Sequence, residues 1–308
     1  MTRLLFIFLD GVGLGADDPA LNPLARAHMP CLRALLDGRS LTASAAPFES
    51  DLVALRSLDA GLGVGGAPQS ATGQAVLLTG VNIPAELGYH YGPKPNPAVA
   101  RYLTDGQTLF SWLHASGKTA ALLNAYPPRY FEGIASGKRL YSAIPLAVAS
   151  AGYPLFTKDH LYAGEALSAD FTGLGWRTML GLADAPLLSA QEAGKRLAGL
   201  AQGYDFSLFE YWASDYAGHK QDMDWAVEQM ETFDGVLVGL VAAYDLDADL
   251  LLVTSDHGNL EDLSTRRHTG ANVPGLVIGR GHRRFTHGLT DLTGIAPRIR
   301  DLLAGQGI

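Results

Sequence analysis

Three carboxylates, three imidazoles and one hydroxyl stand in this sequence where the chain leaves or approaches an apolar run. Asp10 follows Leu4–Leu9. Asp215 and His219 follow the run that ends at Trp212, and Asp256 and His257 follow Leu250–Val253. His268 comes just before another apolar run, and Thr72 stands in Ser70-Ala-Thr-Gly-Gln74 at the start of a helical stretch. An adjacent Asp-His pair at the end of a buried strand is costly unless both groups are paired or bind metal. Asp215 and His219, four residues apart, share one helical face and can reach one cation. Mixed Asp and His ligation suits Zn²⁺ or Mn²⁺ better than Ca²⁺, which prefers an all-oxygen shell. The set is about right for two ions, a pair that polarises a phosphoryl oxygen and lowers the pKa of a hydroxyl. Thr72 becomes a nucleophile only through metal coordination or an adjacent base, and a helix N-terminus there favours an incoming phosphate. Plainer roles exist for each residue: Asp10 as a turn acid, Ser70 or Thr72 as a helix cap, Asp215 and His219 as a solvated pair, and His268 as a structural histidine. His282 and His287 are rival imidazoles for the place of His268.

The elements that must position these residues read as an α/β alternation. Leu4–Leu9 is apolar on both faces, as a strand inside a parallel sheet is. Residues 119–124, 205–212, 249–255 and 273–279 read as further strands. Helices are expected after Thr72, over 108–116 closed by Gly117, from the capping box Ser189-Ala-Gln-Glu192 to about Gln202, over 221–244 and over 291–303. Such alternation predicts a mainly parallel sheet covered on both faces, with ligands held beyond the C-terminal ends of its strands. Residues 125–170 differ, with Pro127-Pro128, many aromatics and weak periodicity, and read as a small inserted cap in one domain spanning 1–308.

The motifs Asp10-Gly-Val-Gly, Thr72-Gly, Asp215-x-x-x-His219, Asp256-His257-Gly and His268-Thr, in this order, resemble the alkaline phosphatase superfamily. They are most similar to its metalloenzyme branch, which contains phosphopentomutase and cofactor-independent phosphoglycerate mutase. The resemblance implies a three-layer α/β/α sandwich with a mostly parallel central sheet. It implies two divalent ions, one held by Asp10, Asp256, His257 and the Thr72 hydroxyl, the other by Asp215, His219 and His268. It also implies a phosphothreonine at Thr72 during turnover, and a phosphomutase or phosphatase of small phosphate esters such as sugar phosphates or phosphoglycerate. Diester or nucleotide pyrophosphate hydrolysis is the alternative within the superfamily, and a non-catalytic metal-binding interaction protein is the alternative outside catalysis. The Cys/Ser-x-Pro-x-Arg context of the superfamily's sulfatases is not matched around Thr72. Asn82, just after the nucleophile helix, and Arg129 are candidate phosphate contacts, followed by His90, Lys94 and Arg101. The mutases carry large caps, whereas the stretch at 125–170 is short.

Composition narrows the partners. The 308 residues carry a net charge of −8, with 47% hydrophobic and 18% charged residues, which excludes a disordered chain and disfavours nucleic acid or an anionic membrane as partner. Cys31 is the only cysteine, so no intrachain disulfide forms. The apolar run at Leu4–Leu9 is shorter than a signal h-region, and none reaches the roughly 18 residues of a membrane span. The expectation is a cytoplasmic protein whose partner is a small phosphorylated substrate.

Overall fold

The computed structural model describes residues 2–305. Among the described residues nine strands form: β1 (Leu4–Leu9), β2 (Phe48–Glu49), β3 (Val53–Leu58), β4 (Ala120–Leu122), β5 (Ala125–Tyr126), β6 (Phe156–Thr157), β7 (Phe206–Tyr211), β8 (Leu250–Thr254) and β9 (Val273–Ile278). Seven of them make one sheet in the order β2-β3-β9-β8-β1-β7-β4, while β5 and β6 form a separate two-stranded sheet. β1 lies between β7 and β8, parallel to both, and β4 is parallel to β7.

The sheet is more mixed than the alternation predicts. β9 is antiparallel to both β8 and β3, and β2 is antiparallel to β3. The cause is the connection after β8. A parallel return needs a crossover, usually a helix. No helix lies between β8 and β9, so the chain comes back antiparallel. That return places the end of β8 and the start of β9 at the same edge of the sheet. The C-terminal ends of the parallel strands β1 and β7 lie at that edge too. Strands β2 and β3 escape the sequence reading.

Both faces of the sheet are covered. Leu5, Ile7 and Leu9 pack into one apolar cluster with the helices Ala190–Ala201 and Met223–Ala243. Leu4, Phe6 and Phe8 pack into a second with Ser70–Thr79, Leu109–Ala115 and Ile295–Leu303. Burial on both sides explains the uninterrupted apolar run of β1. The capping box forms as expected: Ser189 Oγ accepts from Glu192 N at 3.3 Å, and Ser189 N donates to Glu192 Oε2 at 2.8 Å. Within 125–170, helix Ala143–Ser150 buries Ala143, Ile144, Ala147 and Val148 in the second cluster, so this part of the stretch belongs to the helical layer. No helix among the described residues is long and apolar enough to cross a membrane.

Candidate metal centre

Six of the predicted ligands converge beyond the C-terminal edge of the parallel strands. Asp10 continues β1, and its N–H donates to Tyr211 O at 2.9 Å, so the β1–β7 ladder holds it. Its Oδ1 lies 3.4 Å from His257 Nε2, and His257 Nε2 lies 3.6 Å from Asp256 Oδ1. Asp215, on helix Ala213–Lys220, places Oδ2 3.3 Å from His219 Nε2 and Oδ1 3.6 Å from His268 Nε2. The ligand atoms of Asp215, His219 and His268 lie within 4.8 Å of one another, and so do those of Asp10, Asp215 and His257. Asp215 therefore stands between the two groups. The rings of His257 and His268 stack with centroids 3.7 Å apart.

The imidazoles are oriented from behind. Nδ1 faces a backbone carbonyl in each: Arg266 O at 2.7 Å for His219, Pro68 O at 3.0 Å for His268, and Gly258 O at 3.3 Å for His257. A proton held on Nδ1 leaves the Nε2 lone pair for a cation. The carboxylates are braced similarly. Gln74 Nε2 donates to Asp256 Oδ2 at 3.2 Å, and Asn259 Nδ2 donates to Asp215 Oδ1 at 2.6 Å. Buried Glu261 ties three segments together: it accepts from Gly13 N at 2.9 Å and Asn259 N at 2.8 Å, and also takes the Thr269 hydroxyl. Gly11 sits at φ +68, and a Cβ there would meet Asp215 Oδ1 at 2.5 Å, so only glycine lets the first loop pass this close.

Electrostatics fit a divalent cation at this site. Burial, then the charge of Asp256, pushes Asp10 well above the usual carboxylate range. Asp256 is raised by burial and by Asp215. For Asp215, burial is outweighed by hydrogen bonds from His219 and Asn259 and by the charge of His257, which hold it at about 2. Burial also opposes protonation of His257, yet Asp256 and Asp10 bring it to about 10, while burial and the charge of His257 lower His268 to about 4. The Asp215 hydrogen bond raises His219. Asp10 Oδ1 is buried without a well-directed hydrogen bond. A divalent ion within reach of these atoms would satisfy that oxygen, favour ionised acids and favour neutral imidazoles.

Thr72 is not part of this convergence. It is fully buried, and its hydroxyl bonds the backbone, donating toward Gln69 O at 3.1 Å and Tyr91 O at 3.3 Å and accepting from Tyr91 N at 3.1 Å. The hydroxyl at the centre belongs to Ser70, whose Oγ lies 3.0 Å from His257 Nε2. Helix Ser70–Thr79 begins at Ser70, with Gln69 as its cap residue, so neither hydroxyl caps it. Gln74, four residues on, shares the Ser70 face and reaches Asp256. That i, i+4 polar pair on a mostly apolar helix was the available signal. Asn82 spends its amide on structure: Oδ1 accepts from Ala85 N and Nδ2 donates to Leu62 O, each at 3.1 Å. Arg129 and Arg101 are exposed, and His90 Nε2 pairs with Gly61 O at 3.2 Å. His282 is buried beyond the far end of β9, between Gly279 O and Ser50 O, and His287 is exposed, so neither replaces His268.

Residues 181–304 match the family model of the metalloenzyme superfamily. The 2,3-bisphosphoglycerate-independent phosphoglycerate mutase of Methylobacillus flagellatus is 30% identical over 132 residues, covering 40% of this chain and 25% of that protein. The enzyme of the same name from Legionella pneumophila is 32% identical over 127 residues, covering 38% and 24%. The match thus spans about a quarter of the length of these relatives. Among solved structures, the PH0037 protein from Pyrococcus horikoshii has a TM-score of 0.58 at 15% identity, covering 98% of this chain and 97% of that one. A cold-active alkaline phosphatase from a psychrophilic Shewanella has a TM-score of 0.53 at 15% identity, covering 98% and 100%. These two share the alkaline-phosphatase-like α/β fold with this chain, as the motif order implies.

Proposed function

We propose that the protein is a metal-dependent phosphoryl-transfer enzyme acting on small phosphate esters, with Ser70 as the attacking group. The observation that carries this reading is the Ser70 hydroxyl, 3.0 Å from His257 Nε2, beside the convergent acids and imidazoles. Asp10, Asp256 and His257 would hold one divalent ion and Asp215, His219 and His268 a second, Mn²⁺ or Zn²⁺ suiting this donor set. Bound there, the ions would offset phosphoryl charge and lower the pKa of a hydroxyl. Ser70 Oγ attacks phosphorus in line, and the ester oxygen departs on the opposite side. The seryl phosphate then passes its group to water, as in a phosphatase, or to a second substrate hydroxyl, as in a mutase. The similarity to phosphoglycerate mutases supports sugar phosphates and phosphoglycerate as substrates. The acidic chain supports a small anionic ligand over nucleic acid.

The test separates two hydroxyls of one helix. Assayed on a panel of phosphate monoesters and diesters with Mn²⁺ or Zn²⁺, Ser70→Ala should lose about 10³-fold or more in kcat, and Thr72→Ser should stay within a few-fold of wild type. Mass spectrometry of protein quenched during turnover should find the phosphate on Ser70. Full activity in Ser70→Ala would remove the assignment. Stoichiometric release of inorganic phosphate marks a phosphatase; its conservation marks a mutase.

A further inference from the structure

Four carboxylates outside the ligand set are buried among the described residues, and the fold accounts for three of them. Asp234 accepts from Cys31 N at 3.1 Å and Leu32 N at 2.8 Å. Asp249 accepts from Arg3 N at 2.7 Å and pairs with its guanidinium at 3.4 Å. Glu261 has the N–H donors given above. Glu210, near the end of β7, has none of this. It is 6% exposed, and its carboxyl takes a single hydrogen bond, from Tyr126 Oη to Oε2 at 3.3 Å. Its backbone, by contrast, is fixed: Asn124 Nδ2 donates to Glu210 O and Glu210 N donates to Asn124 Oδ1, each at 2.8 Å.

The pleat says where this carboxyl points. Phe206 and Leu208 of β7 lie in the second apolar cluster with Leu4, Phe6 and Phe8 of β1, and the Ser70 helix packs there. Alternate residues share a face, so Glu210 and Asp10 are the next positions on the side that carries Ser70. Above Glu210 lies an aromatic wall. The Tyr126 and Tyr130 rings are 4.5 Å apart, and the Arg139 guanidinium sits over Tyr130 at 4.8 Å. The Tyr130 hydroxyl is buried without a partner. Burial raises Glu210 to about 7, the Tyr126 hydrogen bond works against that, and the charge of Asp256 adds to it. A buried acid with a single long hydrogen bond costs stability in the native state.

We propose that Glu210 is a catalytic acid–base residue that exchanges a proton with the alcohol of the phosphate ester. The inference rests on the phosphoryl-transfer reading. With Ser70 reacting as the alkoxide, its proton already lost to water, the Oγ–P bond forms and the ester P–O bond breaks. The Glu210 carboxylic acid gives its proton to the leaving alkoxide and becomes the carboxylate. When the seryl phosphate is discharged, Glu210 takes a proton from the attacking water or hydroxyl, and Ser70 leaves as the alkoxide. The chemistry selects esters of aliphatic alcohols, whose leaving oxygens need that proton. Tyr126 and the unpartnered Tyr130 hydroxyl are the groups placed to bind such an alcohol.

The experiment compares two leaving groups, using glycerol phosphate and p-nitrophenyl phosphate. Glu210→Gln keeps the shape and removes the acid. It should lose about 10²-fold or more in kcat/KM on glycerol phosphate and less than about 3-fold on the nitrophenyl ester, whose phenolate leaves unprotonated. Equal loss on both esters, in a variant that melts like wild type, overturns the proposal. If the Gln variant does not fold, Glu210→Asp keeps the acid and is read by the same contrast, the larger loss falling on glycerol phosphate. Wild-type turnover of neither these two esters nor any other ester of the panel above would instead overturn the phosphoryl-transfer reading itself.

Discussion

The two halves of the candidate centre are built differently. Asp10, Asp256 and His257 hang from the ends of central strands, and Asp256 and His257 are fully buried. Asp215, His219 and His268 come from a short helix and a helix-free loop, and the side chain of His219 is 42% exposed. The inner half brings Asp10 and Asp256 together in a dry place, so both resist ionisation until a cation arrives. The outer half pairs Asp215 with His219, so it holds together without one. A centre of this kind has one half that is rigid and electrostatically unfavourable when empty, and one half that is looser and nearly self-neutralised.

The contrast breaks most sharply in metal binding. Asp256→Asn should weaken binding of Mn²⁺ or Zn²⁺ by more than about 100-fold in a calorimetric titration, while His219→Ala should weaken it by about 10-fold. At pH 9 the same Asp256→Asn change should leave the metal-free melting temperature unchanged or higher, because it removes one of the buried like charges. Equal affinity losses in the two variants, or a large drop in the metal-free melting temperature of Asp256→Asn, would dissolve the distinction. A smaller effect is expected at the seam between the halves. Gly11→Ala puts a methyl group 2.5 Å from Asp215 Oδ1 at a left-handed backbone position, so a loss of about 2–3 kcal/mol in urea unfolding is expected. A loss below about 0.5 kcal/mol would mean that Asp215 can move aside and that the halves are not locked together.

The six candidate ligands were legible because each sits next to an apolar run long enough to be read as a buried strand or directly beyond one. The proposed attacking hydroxyl was harder. Ser70 and Thr72 are two residues apart at the start of one helix, hence roughly 200° apart around its axis, so only one of them faces the centre. Composition does not tell which. The answer depends on how the helix rolls against β1, and that is set by the apolar packing of Ala71, Ala75 and Val76. Gln74 recorded the roll, because a buried glutamine needs a polar partner and Ser70 shares its face. The antiparallel edge escaped for a different reason. Val53–Leu58 contains Arg56 and Ser57 and lacks the continuous apolar signature of β1, since it lies nearer the rim of the sheet. Glu210 was hidden inside the run Phe206–Tyr211, where the pattern shows a strand but not which buried position lacks a partner.

The subtlest effect separates the halves by pH, and its sign follows group by group for the metal-free protein. Asp215, held at about 2 against an ordinary 3.8, contributes stability above pH 3.8 that is lost as pH falls through 2. His268, lowered to about 4 from 6.5, makes folding less favourable as pH drops from 6.5 toward 4, because the unfolded chain protonates first. On the alkaline side, His257, raised to about 10 from 6.5, contributes stability that is present below pH 6.5 and lost as pH rises through 10. Raised Asp10 and Asp256 act in the same direction, since above pH 3.8 the unfolded chain ionises these acids before the folded one does. The metal-free melting temperature should therefore fall by a few degrees between pH 6 and pH 9. Saturating Mn²⁺ should abolish the fall, because the ion replaces the protons that hold the inner acids together. His219→Ala should keep most of the fall and Asp256→Asn should lose most of it, because the inner half generates it. A metal-free protein that melts at the same temperature at both pH values would show that the inner acids are not crowded as their positions require.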